Sequence, residues 1–312
     1  MRLPPSSPDY VSRVTLAVLA AAAPLSRARA QSDHFAPLVL LLPASTRAAA
    51  FGDAYVAGRD NDVIFYNPAQ LGIARGVGAS VARYRSASTL GSLSASTALG
   101  SGGVGVGVQM LDYGSWPTVY PATAGALTSR GPLVSSSLAA TLGAATVFRD
   151  TRIGVAGKYV EERIAGARGG VLAADIGLAR DIGQVTVGFA AQNLGGAIKT
   201  GGHRASLPQR YTFGVGGGGL PVGPFDVAAS TSVAVLRNGF VTPAGGVEVS
   251  YSWLDGYAVA ARFGVRRVET NAQSPLTLGA GASVDRIWLD YAYERYPGAG
   301  VAHRVGLRIR AQ

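Results

Sequence analysis

The residue types that most often carry catalysis are few and scattered in this sequence. The three histidines, His34, His203 and His303, lie far apart, no His-x-x-x-His pair occurs, and there is no Cys. Zinc–thiolate sites and disulfide frameworks are thereby excluded. No Gly-x-Ser-x-Gly elbow is present, although a hydrolase site gathered from distant strands stays open at this stage. Gly100-Ser101-Gly102-Gly103-Val104-Gly105 has the spacing of a dinucleotide-binding loop. Such a loop must lead into a helix, and the residues after Gly105 alternate like a strand. Asp60-Asn61-Asp62 could open a calcium loop, but Phe65 and Leu71 stand where its glycine and glutamate belong. A polar turn is the better reading. No catalytic, cofactor or metal-binding residues are therefore expected.

The elements that would position any site are of an unusual kind. The 312 residues are 48% hydrophobic with 43 Gly, yet only 15% are charged, against roughly 25% in ordinary domains. That excludes a disordered chain, and the glycines lack the period of three that collagen requires. The formal charge of +10 is carried almost wholly by isolated Arg residues, a pattern that does not suggest nucleic acid. Residues 1–30 have the order of a secretory signal peptide: Arg13, an apolar core from Val14 to Leu25, then Ala28-Arg29-Ala30. The core is too short to span a bilayer as a helix, which takes about 20 residues. Cleavage after Ala30 would remove Arg2, Asp9, Arg13, Arg27 and Arg29 and leave a charge of +7.

Beyond residue 76 the dominant signal has period two. Ile153, Val155 and Tyr159 alternate with Arg152 and Lys158; Tyr257, Val259, Ala261, Phe263 and Val265 alternate with Arg262, Gly264 and Arg266. Each such stretch predicts a strand with one apolar face. Fourteen are found: 77–85, 90–99, 104–112, 135–147, 151–163, 170–180, 184–193, 210–218, 224–236, 241–252, 256–267, 275–284, 286–295 and 301–311. Their lengths centre near the roughly 9–11 residues of a tilted transmembrane strand. Every second connection is short, and the two long ones, 113–134 and 194–209, fall in the other set. Outer-membrane barrels segregate short periplasmic turns from longer outer loops in this way. Backbone polar groups in lipid must all be paired, and no apolar run is long enough for a helix, so a closed barrel is the membrane option. The fold expected is all-β: a transmembrane antiparallel β-barrel of about 14 strands in residues 77–312, preceded by a plug in 31–76. The rival is a secreted array of sandwiches, which would need a second sheet over each apolar face.

The outward parity carries the large apolar residues, and Tyr251, Trp253, Tyr257, Tyr291, Tyr293 and Tyr296 sit near strand ends or turns, as aromatic girdles require; Trp288 falls on the inner parity. The inner parity is small: Ser92, Ser94 and Ser96, then Gly105 and Gly107, then Thr277, Gly279 and Gly281. It also carries Arg152, Lys158, Asp175, Glu248, Arg262, Arg266, Asp290, Glu294, Arg304 and Arg308. A solvated lumen with compensating charges is the default for these; a selectivity path is the alternative.

Residues 31–76 do not alternate. They read as a Leu-rich stretch, Pro43, a helix-like run from Ala44 to Ala57, a polar turn, and Asn67-Pro68-Ala69, where proline breaks regular structure. The run "LLPASTRAAAFGDAYVAGRDNDVIFYNPAQL" resembles the N-terminal signature of the PorV/PorQ family, within the FadL-like outer-membrane transport superfamily. The matching positions are Arg47, Gly52, Ala54, Ala57, Asn67, Pro68, Ala69 and Leu71. A second block, "RIGVAGKYVEERIAGARGGVLAADIGLARDIGQVTVGFAAQNLGG", and "HRVGL" at His303 to Leu307 are also similar. The chain departs from the signature at Gln70, where glycine is usual. The resemblance implies a 14-stranded outer-membrane barrel with an N-terminal hatch. In the FadL branch it implies passive uptake of long-chain fatty acids or other hydrophobic molecules, with a lateral gap at the third strand. Here Gly100, Gly102, Gly103, Gly105 and Gly107 mark that strand and the turn before it. In the PorV branch it implies a partner of type IX secretion proteins. Membrane lipid, a hydrophobic ligand and secretion proteins are thus the expected partners.

Overall fold

The computed structural model describes residues 37–84, 88–120, 128–268, 274–296 and 300–311; the candidate leader lies outside them. Sixteen strands come after a short N-terminal segment: β1 Gly76–Tyr84, β2 Thr89–Leu99, β3 Gly102–Tyr120, β4 Thr128–Phe148, β5 Thr151–Ile164, β6 Ala167–Ile182, β7 Val185–Gly195, β8 Ala197–Thr200, β9 His203–Ser206, β10 Arg210–Val222, β11 Phe225–Leu236, β12 Val241–Leu254, β13 Tyr257–Arg266, β14 Leu276–Val284, β15 Ile287–Tyr296 and β16 Gly300–Ile309. Fourteen close into an antiparallel barrel, with β1 paired to β16; β8 and β9 form a separate hairpin between β7 and β10. Closure leaves no unpaired edge.

Period two in the sequence becomes inside and outside in the wall. Along β5, Ile153, Val155 and Tyr159 are exposed while Arg152, Gly154, Ala156 and Lys158 are buried. The same holds on β13, where Val259, Phe263 and Val265 face out and Arg262 is buried. An apolar band of this extent has no place in water but suits hydrocarbon. Phe225, Tyr251, Trp253 and Tyr257 form a run of ring contacts on the outer surface, with centroids 5.8–6.5 Å apart. Trp288 instead sits beside Arg308 and Arg310, whose guanidinium carbons lie 5.7 and 6.0 Å from its ring.

One end of the barrel is closed by six two-residue turns: Gly100-Ser101, Arg149-Asp150, Gly183-Gln184, Gly223-Pro224, Asp255-Gly256 and Asp285-Arg286. Arg149 and Asp150 both have positive φ, 48° and 66°, the backbone of a primed hairpin turn whose twist matches the strands. Longer connections and the β8–β9 hairpin lie at the other end, except between β5 and β6, where the expected 164–169 connection tightens to the two-residue turn Ala165-Gly166, both at positive φ. There β3 and β4 run well past the expected 104–112 and 135–147. Their ladder continues through bulges at Asp112/Ser115 and Trp116/Thr118.

The lumen is filled by residues 37–75. The expected helix over 44–57 shrinks to α1, Thr46–Ala50, capped by Ser45 Oγ accepting from the Ala48 amide. It stops because Gly52 and Asp53 take positive φ, 65° and 68°. Two 3-10 turns come next, Asn61–Phe65 and Pro68–Gly72. No helix among the described residues is long and apolar enough to cross a membrane.

Candidate functional site

The plug meets two different halves of the wall. On one side it is held by charge. Arg47 Nη2 donates to Glu248 Oε1 at 2.8 Å, and Arg262 Nε donates to the other oxygen of Glu248. Arg262 Nη1 reaches Asp290 at 2.6 Å, Arg308 Nε reaches the second oxygen of Asp290 at 2.6 Å, and Arg308 Nη1 reaches Asp60 at 3.0 Å. Asp60 lies 3.6 Å from Arg47 Nη1, which closes the circuit. Six side chains of alternating sign thus form a ring, two from the plug and four from β12, β13, β15 and β16. Tyr55 Oη also donates to Asp60. Removing charges from water is costly, and only near-complete pairing offsets it.

The remaining inward charges are organised likewise. Lys158 lies 2.9 Å from Asp175 and donates to Asn193 Oδ1 at 2.8 Å, while the Asn193 amide donates to Asp175 at 2.7 Å. This knot stands at the β6–β7 irregularity between Ala174 and Ile176, where Asn193 has φ 58°. Arg152 grips Asp181 with two bonds of 2.8 Å, and Arg59 of the plug adds a third contact at 3.2 Å. Arg266 donates to Glu294 at 2.7 Å, and Arg304 donates to Tyr84 Oη at 3.2 Å. Arg210 reaches Asp53 of the plug at 3.1 Å. The lumen charges are therefore buried and mutually paired, not solvated as the sequence suggested, because the plug displaces the water that would otherwise fill the barrel.

The opposite side of the plug is apolar. Val63, Ile64, Phe65, Tyr66 and Leu71 form one buried cluster with Ala156 of the wall. Val39 packs with Ala82, Leu90, Leu111, Ala139 and Val160 in a second, nearer the long-loop end. Small inner-wall residues make these contacts: a β-carbon at Gly107 would lie 2.5 Å from Phe65 Cε1, and one at Gly105 would lie 2.5 Å from Leu71 Cδ2. Gly103 abuts the Leu71 carbonyl, Gly102 abuts β4, and Gly100 is a turn residue with φ 55°. No gap opens at these glycines. The β2–β3 pairing runs unbroken from Thr89–Asp112 to Leu99–Gly102. On the lipid side of the same strands, an apolar groove of ≈ 430 Å³ lies between Val77, Leu93, Val106, Val108, Leu307 and Ile309, over Gly78, Ser94 and Gly107.

The plug-signature residues have distinct jobs. Gly52 passes so close to β13 that a β-carbon would lie 2.7 Å from the Val265 carbonyl. The Ala54 carbonyl accepts from Ser230 at 2.7 Å. Asn67, fully buried, accepts from the Ala69 amide at 3.1 Å and donates to the carbonyls of Val56 and Leu178 at 2.9 and 3.2 Å. Pro68 occupies the first turn that Asn67 caps, and Ala69 has no exposed surface. Gln70 is fully buried, with neither amide atom hydrogen-bonded to the protein. The sequence marks Asp60 and Asp62 only as a polar turn and places Asp53 and Tyr55 within a helix-like run, whereas each of the four has a specific side-chain partner. Ser94 donates to Asp62 at 2.5 Å and accepts from Asn61 at 2.6 Å. Burial, then the neighbouring Asp60, pushes the Asp62 carboxyl up to about 6. Among the described residues no group of His, Asp and Glu could hold a metal ion.

No protein-family model matches the sequence, and no curated protein does. The fold does have solved counterparts. The Pseudomonas putida toluene transporter TodX superposes with a TM-score of 0.56 at 14% identity, covering 84% of this chain and 96% of that one. The Ralstonia pickettii toluene transporter TbuX gives 0.54 at 13%, covering 85% and 97%. A Pseudomonas aeruginosa FadL homologue gives 0.51 at 10%, covering 89% and 100%. The likeness is one of fold, while the PorV/PorQ resemblance stands on the sequence blocks alone.

Proposed function

We propose that this chain is an outer-membrane channel through which small hydrophobic molecules, such as long-chain fatty acids, pass without an energy source. A leader in residues 1–30 is cleaved on export, residues 31–76 are the hatch, residues 77–312 are the wall, and the chain is not an enzyme. The carrying observation is the plug's uneven hold on the wall: its ion pairs go to β6, β10, β12 and β16, whereas its two apolar clusters pack against β1–β5, interrupted there by neutral and carboxylate bonds to the serines of β2. An apolar solute gains nothing from the charged side. Along the other side it would exchange one apolar contact for another as the hatch withdraws. The ion-pair ring is then the latch. The wall is closed at Gly78 and Gly107, where only backbone separates the lipid-side groove from Asn61 and Phe65 of the hatch, so a sideways exit there would require the β1–β2 or β2–β3 pairing to part. Fold likeness to the toluene transporters and the FadL homologue supports this reading.

The test is reconstitution. Purified protein should bind a long-chain fatty acid, and deletion of residues 31–70 should open an ion-conducting pore. A barrel that binds no fatty ligand and stays closed after the deletion contradicts the proposal.

A second reading, a protein-interaction barrel of the PorV type, is favoured by one observation. β3 and β4 reach 19 and 21 residues, longer than a bilayer crossing needs, so their hairpin rises beyond the rim as an arm. Co-purification of secretion components that is lost when the arm is shortened would support it. A genome without any other type IX component would exclude it.

A further inference from the structure

A second cleft opens at the short-turn end, between the plug turn Ala57-Gly58-Arg59 and the inner faces of β10 and β11, with a volume of ≈ 200 Å³. Three arginines line it, Arg47, Arg59 and Arg310, and no carboxylate does. Arg47 and Arg59 spend their ion pairs elsewhere, Arg47 on Glu248 and Asp60 and Arg59 on Asp181. Arg47 Nε is buried with no hydrogen-bond partner. Arg310 has no ion pair among the described residues; Arg308 and the Trp288 ring are its neighbours, and the field of Asp60 opposes that of Arg308 and Arg47 without cancelling it. Burial first, and then the positive field of Arg308 and Arg47, pull the Arg310 guanidinium below its ordinary range. The rest of the lining is the Phe51 and Tyr55 rings, alanines, Ser230, whose hydroxyl is bonded to the Ala54 carbonyl, and a glycine floor. A cation surplus beside aromatic walls calls for an anion carrying an apolar body.

We infer that this cleft binds a small aromatic carboxylate, its carboxylate between Arg310 and Arg59 and its ring against Phe51 and Tyr55. Size agrees, since an engineered cavity of about 150 Å³ already takes up benzene. Arginine matches a carboxylate with two parallel hydrogen bonds, and a partly desolvated site strengthens them. Glycine and alanine on β10 and β11 keep the cleft open: larger side chains at Gly216, Gly218 or Ala228 would occupy it. Occupancy of this cleft does not depend on passage through the lumen, so it can hold even where the channel reading fails.

Benzoate is the probe, with the full chain in detergent micelles and binding read by saturation-transfer NMR. Benzoate should bind, and Arg310→Gln should weaken it about tenfold, as loss of a charge-assisted pair implies. Toluene should bind more weakly than benzoate and be indifferent to Arg310→Gln, and inorganic phosphate should not displace benzoate. Arg310 lies past the last strand pair, so the barrel should still close. If that variant does not fold, Ala228→Leu, which fills the cleft from the wall, should abolish the benzoate signal instead. Benzoate binding unchanged by both variants overturns the assignment. Toluene binding as strongly as benzoate, or phosphate displacing it, overturns the ligand class.

Discussion

Arg308, on the last strand of the barrel, donates to Asp60 of the plug at 3.0 Å across a sequence separation of 248 residues. That bond closes the ring that begins at Arg47, and it ties the final strand to the first segment. The plug therefore cannot complete its docking until β16 is in place.

Breaking the ring at either member should loosen the plug. Asp60→Asn or Arg308→Gln should each cost on the order of 1.5–3 kcal/mol, because each removes a buried charge-assisted bond while Arg308 keeps Asp290 and Asp60 keeps Arg47 and Tyr55. The double variant should cost clearly less than the sum, since each substitution relieves part of the strain left by the other. Denaturant unfolding of the four proteins in micelles measures the coupling. Additive costs would mean that the ring is not an energetic unit.

Asn67 should tolerate neither of its nearest replacements. Asn67→Ala removes a cap worth about 1–2 kcal/mol and takes a buried donor from the Val56 carbonyl and a second one from Leu178 of the β6 ladder. Asn67→Asp keeps the acceptor for the Ala69 amide but turns a negative charge on those carbonyls, and should be worse. Limited proteolysis of the plug, with the fragments read by mass spectrometry, should rank wild type, Ala and Asp in that order of resistance.

Plug docking should weaken as pH rises through the range between about 4 and 6. The Asp62 carboxyl titrates near 4 in an unfolded chain but is pushed up to about 6 when docked. Between those values the docked state holds a proton that the undocked state has lost, so its contribution is full below the lower value and gone above the upper. Asp62→Asn should flatten that slope. Plug release measured by channel conductance from pH 4 to 8 reads it directly; a slope of opposite sign would show that another group dominates.

The wall was legible because each of its fourteen strands alternates, and alternation states which side chain faces out. Its finer features were not. Past Asp112 the β3–β4 ladder survives two bulges that destroy the period, so the arm looked like a loop. The β8–β9 hairpin turns on Gly201-Gly202, both at positive φ, a Gly-Gly signal that could have been read. The run from Ala44 to Ala57 looked helical because alanine favours helix, but Gly52 and Asp53 end it where the plug must pass β13 closely. The inward charges were visible as a parity, and their pairing was not: Arg262 reaches Glu248 and Asp290 only through strand register and shared orientation. Asp60, central to the latch, carried no more signal than any turn aspartate.

The most direct test uses the absence of native cysteine. A β-carbon at Gly216 would lie 3.1 Å from the Ala57 Cβ, close enough that small shifts allow a disulfide between β10 and the plug. In Ala57→Cys/Gly216→Cys protein, oxidation should stop uptake of a labelled long-chain fatty acid by cells, and reduction should restore it. Uptake that continues at the same rate through a fully oxidised lock would contradict the hatch.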